Sequence, residues 1–355
     1  MKYYSIYDLV GVCVSDDYPW CDTLFLSCGV ALDGEAAFNA CAQKIYVEFE
    51  KKLPMEDVRF IGDGAYIGQN VYVDEQYGVR IERSAESLRL RVAQECNEWL
   101  VIAVQLALLN SGHSLLHAAA LEKDGQVLLL PSWGGVGKTA TVCRFVREYG
   151  WRLLGDDLVI IGQGRVLPFL KPFVIYPYHK DLFPELFESG ENHTVKNLTV
   201  SNLMSRMIPG VKRALRPFPR VLAFLRKHNP QSMRVSPRKI FQPEQLSEGG
   251  KPCRMVWLER SMGSELCYRD LMPNDLASKA VTVSCVELFA SKLEAVYHMC
   301  GCGMLHFDDT LLRMRQIILD MAQDAPCGIL EIPVAVSITD VGEVIYQQLN
   351  RNEEA

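Results

Sequence analysis

The sequence predicts an α/β fold in which a β-rich part, residues 1–94, precedes a mixed-sheet domain over residues 95–355. Three observations predict it. Lys44-Ile45-Tyr46-Val47-Glu48-Phe49 alternates with period two, an apolar run of helix formers ends at Ser111-Gly112, and the run Gln126 to Leu130 passes through a glycine-rich turn into a helical pattern. Strict alternation marks a half-buried strand, and a longer period with good helix formers marks a helix. With 355 residues, 49% apolar and 23% charged, the chain has the material for a large buried core, which excludes a disordered or fibrous protein. Its length suits one large or two ordinary domains.

In the N-terminal part, short strands are expected at Thr23 to Val30, Lys44 to Phe49, Ala65 to Val73 and Gly78 to Ile81. A helix is expected from Glu95 to Asn110, with Ser111-Gly112 as its stop. Then come a strand at Gln126 to Leu130, a helix from Lys138 to Tyr149 and a strand at Arg152 to Leu154. Leu158 to Ile161 and Arg165 to Leu167 read as arms of a hairpin turning at Gly162-Gln163-Gly164, so parallel and antiparallel pairing are mixed. The last hundred residues predict helices at Asp275 to His298 and Asp308 to Met321, a strand at Gly328 to Val334 and a final helix to Leu349.

Thirty-seven Lys and Arg against 43 Asp and Glu give a formal charge of −6, without the overall basicity of a dedicated nucleic-acid binder. The charge is uneven. Residues 192–243 hold eleven Lys or Arg and no Asp or Glu, a basic insert whose prolines Pro209, Pro217, Pro219 and Pro230 prevent one long helix. Few aromatic residues interleave its basic ones, which argues against single-strand nucleic-acid binding. It suits a docking surface or lid for an acidic substrate, with Arg234, Arg238 and Lys239 as candidate contacts for phosphate or carboxylate.

The N-terminus has no apolar stretch ending in a small-residue cleavage site, and the longest nearly apolar run, Trp99 to Leu109, is about half of the roughly 20 residues a bilayer needs. A soluble cytoplasmic protein with no membrane partner is the expectation. Twelve cysteines spread over so long a chain fit reduced thiols better than a disulfide framework. His298, Cys300, Cys302 and His306 form the one tight cluster of metal-binding residue types. Its spacing departs from that of structural zinc sites, and it reads more simply as thiols near a helix end.

Ser132-Trp133-Gly134-Gly135-Val136-Gly137-Lys138-Thr139 lies between an apolar strand and a helix, the context of a phosphate-binding loop. Backbone N–H groups at a helix N-terminus form an anion nest, the glycines let the chain approach phosphate, and the lysine supplies a point charge. Gly134, Gly135, Val136, Gly137, Lys138 and Thr139 are therefore the candidate nucleotide-binding residues, with the Thr139 hydroxyl for Mg²⁺. Ser132 replaces the usual first glycine; were a positive φ required there, serine would cost about 1–2 kcal/mol.

Eighteen residues after Lys138, Asp156 and Asp157 end an apolar strand. A strand next to the loop strand would deliver them beside a γ-phosphate, where one carboxylate serves the Mg²⁺ shell and the other takes a proton from an attacking hydroxyl. His117, on an apolar background, is by itself an ordinary core histidine and gains interest through its place just before the loop unit.

The motifs His117-Ala-Ala-Ala-Leu-Glu-Lys-Asp-Gly-Gln-Val-Leu-Leu-Leu, Gly134-Gly-Val-Gly-Lys-Thr139 and Gly150-Trp-Arg-Leu-Leu-Gly-Asp-Asp157 resemble those of the HPr kinase/phosphorylase group, especially its HPr-kinase-related branch. The resemblance covers the stretch from His117 to Asp157, with weaker similarity of order at Pro168 to Pro177 and Arg234 to Glu259. It implies a phosphoenolpyruvate-carboxykinase-like P-loop fold, ATP and Mg²⁺ as cofactors, and roles for the matching residues. Gly135, Gly137, Lys138 and Thr139 would hold triphosphate and metal, Asp156 would be the base, Asp157 would bind the metal through water, and His117 would sit by the transferred phosphoryl. Ala140 stands where bifunctional members carry an acidic residue, and no Glu-x-Arg-Gly signature follows the Asp pair. Neither phosphorylase activity nor the carrier protein HPr as substrate is therefore implied. The N-terminal part does not match the regulatory domain of those enzymes. Related kinases occur beside peptide-modification systems, including lasso-peptide and SynChlorMet cassettes, and the resemblance suggests such a setting.

The leading expectation is thus an ATP-dependent kinase acting on a Ser or Thr hydroxyl of a small protein or peptide. Two alternatives stay open: a nucleotide-binding regulatory or assembly protein with little catalysis, for which Ser132 and Ala140 speak, and a small-molecule hydroxyl kinase. The oligomeric state, a homo-oligomer included, and the choice between ATP, GTP and pyrophosphate are also open.

Overall fold

The protein is described from a computed structural model, over residues 1–21, 31–188 and 232–351. The strand expected at Thr23 to Val30 and most of the basic insert, residues 192–231, lie outside the described residues. Within them the chain is mixed α/β, as the sequence predicts.

The N-terminal strands are β1 (Lys2–Ile6), β2 (Val10–Val14), β3 (Ala31–Asp33), β4 (Gln43–Phe49), β5 (Arg59–Gly62), β6 (Ala65–Gly68), β7 (Val71–Asp74), β8 (Val79–Arg83) and β9 (Ser87–Val92). They form one sheet in the order β3-β1-β2-β4-β9-β8-β7-β6-β5, with a six-residue helix α1 (Glu35–Ala40) between β3 and β4. The single strand expected at Ala65 to Val73 is a hairpin, β6 with β7, because the chain reverses at Gln69-Asn70 with Asn70 at φ 58°, a left-handed conformation that asparagine tolerates. The expected alternation of β4 holds: Ile45 and Val47 are buried. They join Leu90 and Val92 of β9 in a core shared with helix α2 (Asn97–Asn110).

Helix α2 is buried on nearly every side, as a helix apolar all round must be. Gln105, which interrupts its apolar run, is fully buried and satisfied at both ends of its amide: Nε2 donates to Ser114 Oγ at 3.0 Å, and Oε1 accepts the Leu115 N–H at 2.7 Å. The helix is thereby tied to β10 (His113–Leu116).

Next come β11 (Ala118–Lys123), β12 (Gln126–Pro131), helix α3 (Lys138–Glu148), β13 (Arg152–Gly155), and the expected hairpin of β14 (Val159–Gly162) with β15 (Arg165–Leu167). A short pair, β16 (Phe173–Ile175) with β17 (Met233–Val235), brackets helix α4 (Pro184–Glu188). Strand β18 (Lys251–Ser261), β19 (Cys267–Asp270) and β20 (Cys327–Pro333) complete a six-stranded sheet in the order β13-β11-β12-β18-β20-β19. Its centre is parallel, β12 with β18 and β18 with β20, while β11 runs antiparallel to both its neighbours. In β12, Leu128 and Leu130 face one core and Val127 and Leu129 the other, so a continuous apolar run is what a strand covered on both faces requires.

On one face lie α3 and the last helix, α8 (Val341–Arg351). On the other lie α5 (Pro273–Phe289) and α7 (Phe307–Gln323). The one helix expected at Asp275 to His298 is broken by a 3-10 turn at Ala290–Lys292 into α5 and α6 (Leu293–Gly301). Among the described residues, no helix is long and apolar enough to cross a membrane.

Candidate active site

The loop between β12 and α3 opens a cavity of about 440 Å³. Its shape follows from two glycines with left-handed backbone, Gly135 at φ 77° and Gly137 at φ 106°. Gly137 is the N-cap of α3 and no side chain caps the helix, so the first-turn N–H groups face the cavity without a side-chain partner. A Cβ on Gly135 would meet nothing within 4 Å, which leaves room for a ligand against the backbone. Ser132 does not take a positive φ. It is buried and bridges in parallel to Leu258 of β18, so it extends the sheet and costs none of the strain a left-handed serine would carry.

Lys138 is buried and uses its three donors within the protein. Nζ bonds the carbonyls of Ser132 at 3.0 Å and Trp133 at 2.9 Å, and His117 Nε2 at 3.1 Å. Burial pulls its pKa down, while Asp156 and Asp157 pull it back up. Since His117 Nε2 accepts from an ammonium, the ring carries its proton on Nδ1 and is neutral. Burial, helped by the Lys138 charge, lowers the His117 pKa to about 4. Its Nδ1 lies 3.3 Å from Asp157 Oδ1 without making a hydrogen bond, and its backbone N–H donates to Ser284 Oγ of α5 at 2.9 Å. His117 thus sits at the β10–β11 junction, held by Lys138 and by Ser284.

Asp156 and Asp157 follow β13. The expectation that their strand neighbours the loop strand is corrected: β11 lies between β13 and β12. Both still reach the cavity, because β12 and β13, each antiparallel to β11, end on the same side. Thr139 Oγ1 donates to Asp156 Oδ2 at 2.8 Å, and Asp156 Oδ1 is buried with no partner. Burial raises the Asp156 pKa to about 7 against the pull of the Thr139 hydrogen bond. Asp157 moves the other way: burial pushes it up, but the Lys171 and Lys138 charges hold it below the usual carboxylate value. Two adjacent carboxylates of opposite protonation tendency are the arrangement by which a site separates a proton acceptor from a fixed charge.

Thr139 and Asp157, the expected metal pair, both line the cavity. Thr139 meets Asp156, whereas Asp157 accepts Lys171 Nζ at 2.6 Å. A cation in this cavity would find oxygen donors of the type Mg²⁺ takes in Thr139 Oγ1 and the Asp157 carboxylate, and the open loop glycines would admit a triphosphate, so the residues present fit a magnesium nucleotide. Among the described residues no group of three or more His, Cys, Asp or Glu is gathered as a protein-only metal site, and Cys302 at the end of α6 gives its thiol hydrogen to the Met299 carbonyl.

Lys171 is the residue that sequence reasoning missed. It lies in the Lys171-Pro172 link between β15 and β16, where no spacing rule marks it. It also lines a second cavity of about 250 Å³ that shares His117 and Asp157 with the first and adds Glu98, Arg234 and Ser291. Of the three basic candidates, Arg234 reaches this second cavity. Arg238 and Lys239, on a 3-10 turn at Pro237–Lys239, line neither.

Compared with known proteins, the chain matches no family model and no curated protein.

Proposed function

We propose that the protein is an ATP- and Mg²⁺-dependent phosphotransferase that moves the γ-phosphoryl group to a hydroxyl, a Ser or Thr of a small protein or peptide. The observation that carries this reading is the convergence of Lys138, Thr139, Asp156, Asp157 and His117 on one cavity at the mouth of a glycine loop. The loop N–H groups and Lys138 would hold the phosphates, and Lys138 would trade one of its protein hydrogen bonds for a phosphate oxygen. Thr139 and Asp157 would hold Mg²⁺, which would supply charge neutralisation for the transferred phosphoryl group. Asp156, with a proton affinity near neutrality and a free Oδ1, is the group suited to take the acceptor hydroxyl's proton. Asp157, held below the usual carboxylate value, would be a standing negative charge.

A second reading, a free small molecule as acceptor, is favoured by the second cavity, whose 250 Å³ suits one side chain or a compact hydroxylated compound. The fold proposed for the catalytic part, an HPr-kinase-like P-loop domain, rests on the motif resemblance together with the strand–loop–helix unit of β12 and α3.

Comparison of the wild type with Asp156→Asn tests the reading. A kinase loses transfer by about 10²–10⁴-fold and keeps its affinity for ATP. A regulatory nucleotide binder keeps its function in this variant, and that result would reject the proposal.

A further inference from the structure

The charges around the 440 Å³ cavity leave one group without a role. Three carboxylates line it, Asp156, Asp157 and Glu287. Its two histidines are neutral by their hydrogen bonds, since His117 Nε2 accepts from Lys138 and His179 Nδ1 accepts the Tyr176 N–H. Among the described lining residues the full positive charges are therefore Lys138 and Lys171.

His117 and Asp157 lie between them: Lys138 Nζ meets His117 Nε2, and Lys171 Nζ meets Asp157 Oδ2. Lys138 is anchored in the loop that cradles phosphate. Lys171 lines both cavities, and the second cavity includes no residue of the loop. Lys171 thus marks the junction between the space suited to the donor and the space suited to an acceptor. Its backbone is fixed: its N–H bonds the Phe169 carbonyl at 2.8 Å, and Pro172 after it restricts its conformation. Its side chain is about one-third exposed and ends on Asp157 Oδ2, a flexible stem carrying a charge that can change partners.

A phosphoryl group in flight spreads negative charge over three equatorial oxygens midway between donor and acceptor, where a loop lysine alone leaves the acceptor side uncompensated. We propose that Lys171 is the catalytic cation of the acceptor side, turning from Asp157 onto the transferred phosphoryl as the reaction proceeds. This rests on the phosphotransferase reading above. In the step, the acceptor oxygen forms a bond to γ-phosphorus and passes its proton to Asp156, while the bond from γ-phosphorus to the β,γ-bridging oxygen breaks. That electron pair stays on the β-phosphate of the leaving ADP. Lys171 gives hydrogen bonds and exchanges no proton.

The experiment measures turnover of Mg-ATP, with an extract of the source cells supplying acceptor, alongside equilibrium binding of Mg-ATP, for the wild type, Lys171→Met and Lys171→Arg. Lys171→Met is expected to lower kcat by about 10²–10³-fold, with the Mg-ATP Kd changed less than about threefold because the loop contacts remain. Lys171→Arg, which keeps the charge, is expected to recover at least about tenfold of that loss; a group needed for packing alone would not split kcat from Kd in this way. Wild-type turnover in Lys171→Met, or a loss of kcat matched by an equal loss of nucleotide binding, overturns the assignment of Lys171 alone. A wild type that binds Mg-ATP and turns over none overturns the phosphotransferase reading and this assignment with it.

Discussion

Thr139 Oγ1 and Asp156 Oδ2 are joined by a 2.8 Å hydrogen bond that ties the first turn of α3 to the end of β13, across the intervening β11. The bond leaves Asp156 Oδ1 free at the cavity, on a carboxyl whose pKa burial raises to about 7. As pH rises through that value the group loses its proton and becomes able to accept another. Accordingly, kcat/KM should climb with pH and level off above about 7. In Asp156→Asn the residual rate should lack this limb, which a pH–rate profile on both proteins would check.

The same shift has a consequence for stability. The ordinary aspartate value is 3.8, so between roughly 3.8 and 7 the folded protein keeps a proton that the unfolded chain has lost. Stability from this group is full below that window and is lost as pH rises through it. His117 and His179, both lowered to about 4, act in the opposite sense between 4 and 6.5. The clean quantity is therefore the difference between proteins. Nucleotide-free Asp156→Asn should gain stability relative to the wild type as pH goes from 5 to 8 in urea titrations, and a constant difference would refute the assigned shift.

Gly137 and Gly135 should respond differently to alanine. Both are left-handed, but at Gly137 a Cβ would also lie 3.0 Å from Val341 at the start of α8, while at Gly135 it meets open space. Gly135→Ala should cost about 1–2 kcal/mol from backbone strain. Gly137→Ala should cost more, since α8 must also move, and thermal unfolding of the two variants would rank them.

Much of this was legible in the sequence, and the failures have physical causes. The unit from β12 through α3 to β13 was readable because a buried strand, a glycine turn and a helix each leave a distinct local pattern, and Asp156 and Asp157 came with it. The insertion of β11 between β12 and β13 was not readable, because strand order is set by long-range pairing. Lys171 was missed for a related reason: its significance lies in a 2.6 Å contact with Asp157 fourteen residues away in sequence, and a lysine before a proline has no signature. Ser132 looked like a defect in a glycine motif, yet its extended bridge to Leu258 makes it part of the sheet. The break at Ala290–Lys292 falls within residues that are all compatible with helix, so tertiary contact decides it.

Gln105 shows a polar residue whose role is purely architectural. Gln105→Ala would strand the Leu115 N–H in the core, at a cost of about 1–3 kcal/mol. Because β10 leads directly to His117, the variant should also lower activity at temperatures where it remains folded, measurable by denaturation and turnover on one preparation.

Phosphoryl transfer is read out by following γ-labelled phosphate from Mg-ATP into an extract of the source cells, separated into protein, peptide and small-molecule fractions. Label is expected in one hydroxyl-bearing fraction, most of it lost with Lys138→Ala and with Asp156→Asn. Label in no fraction, with ATP still bound by the wild type, would contradict it.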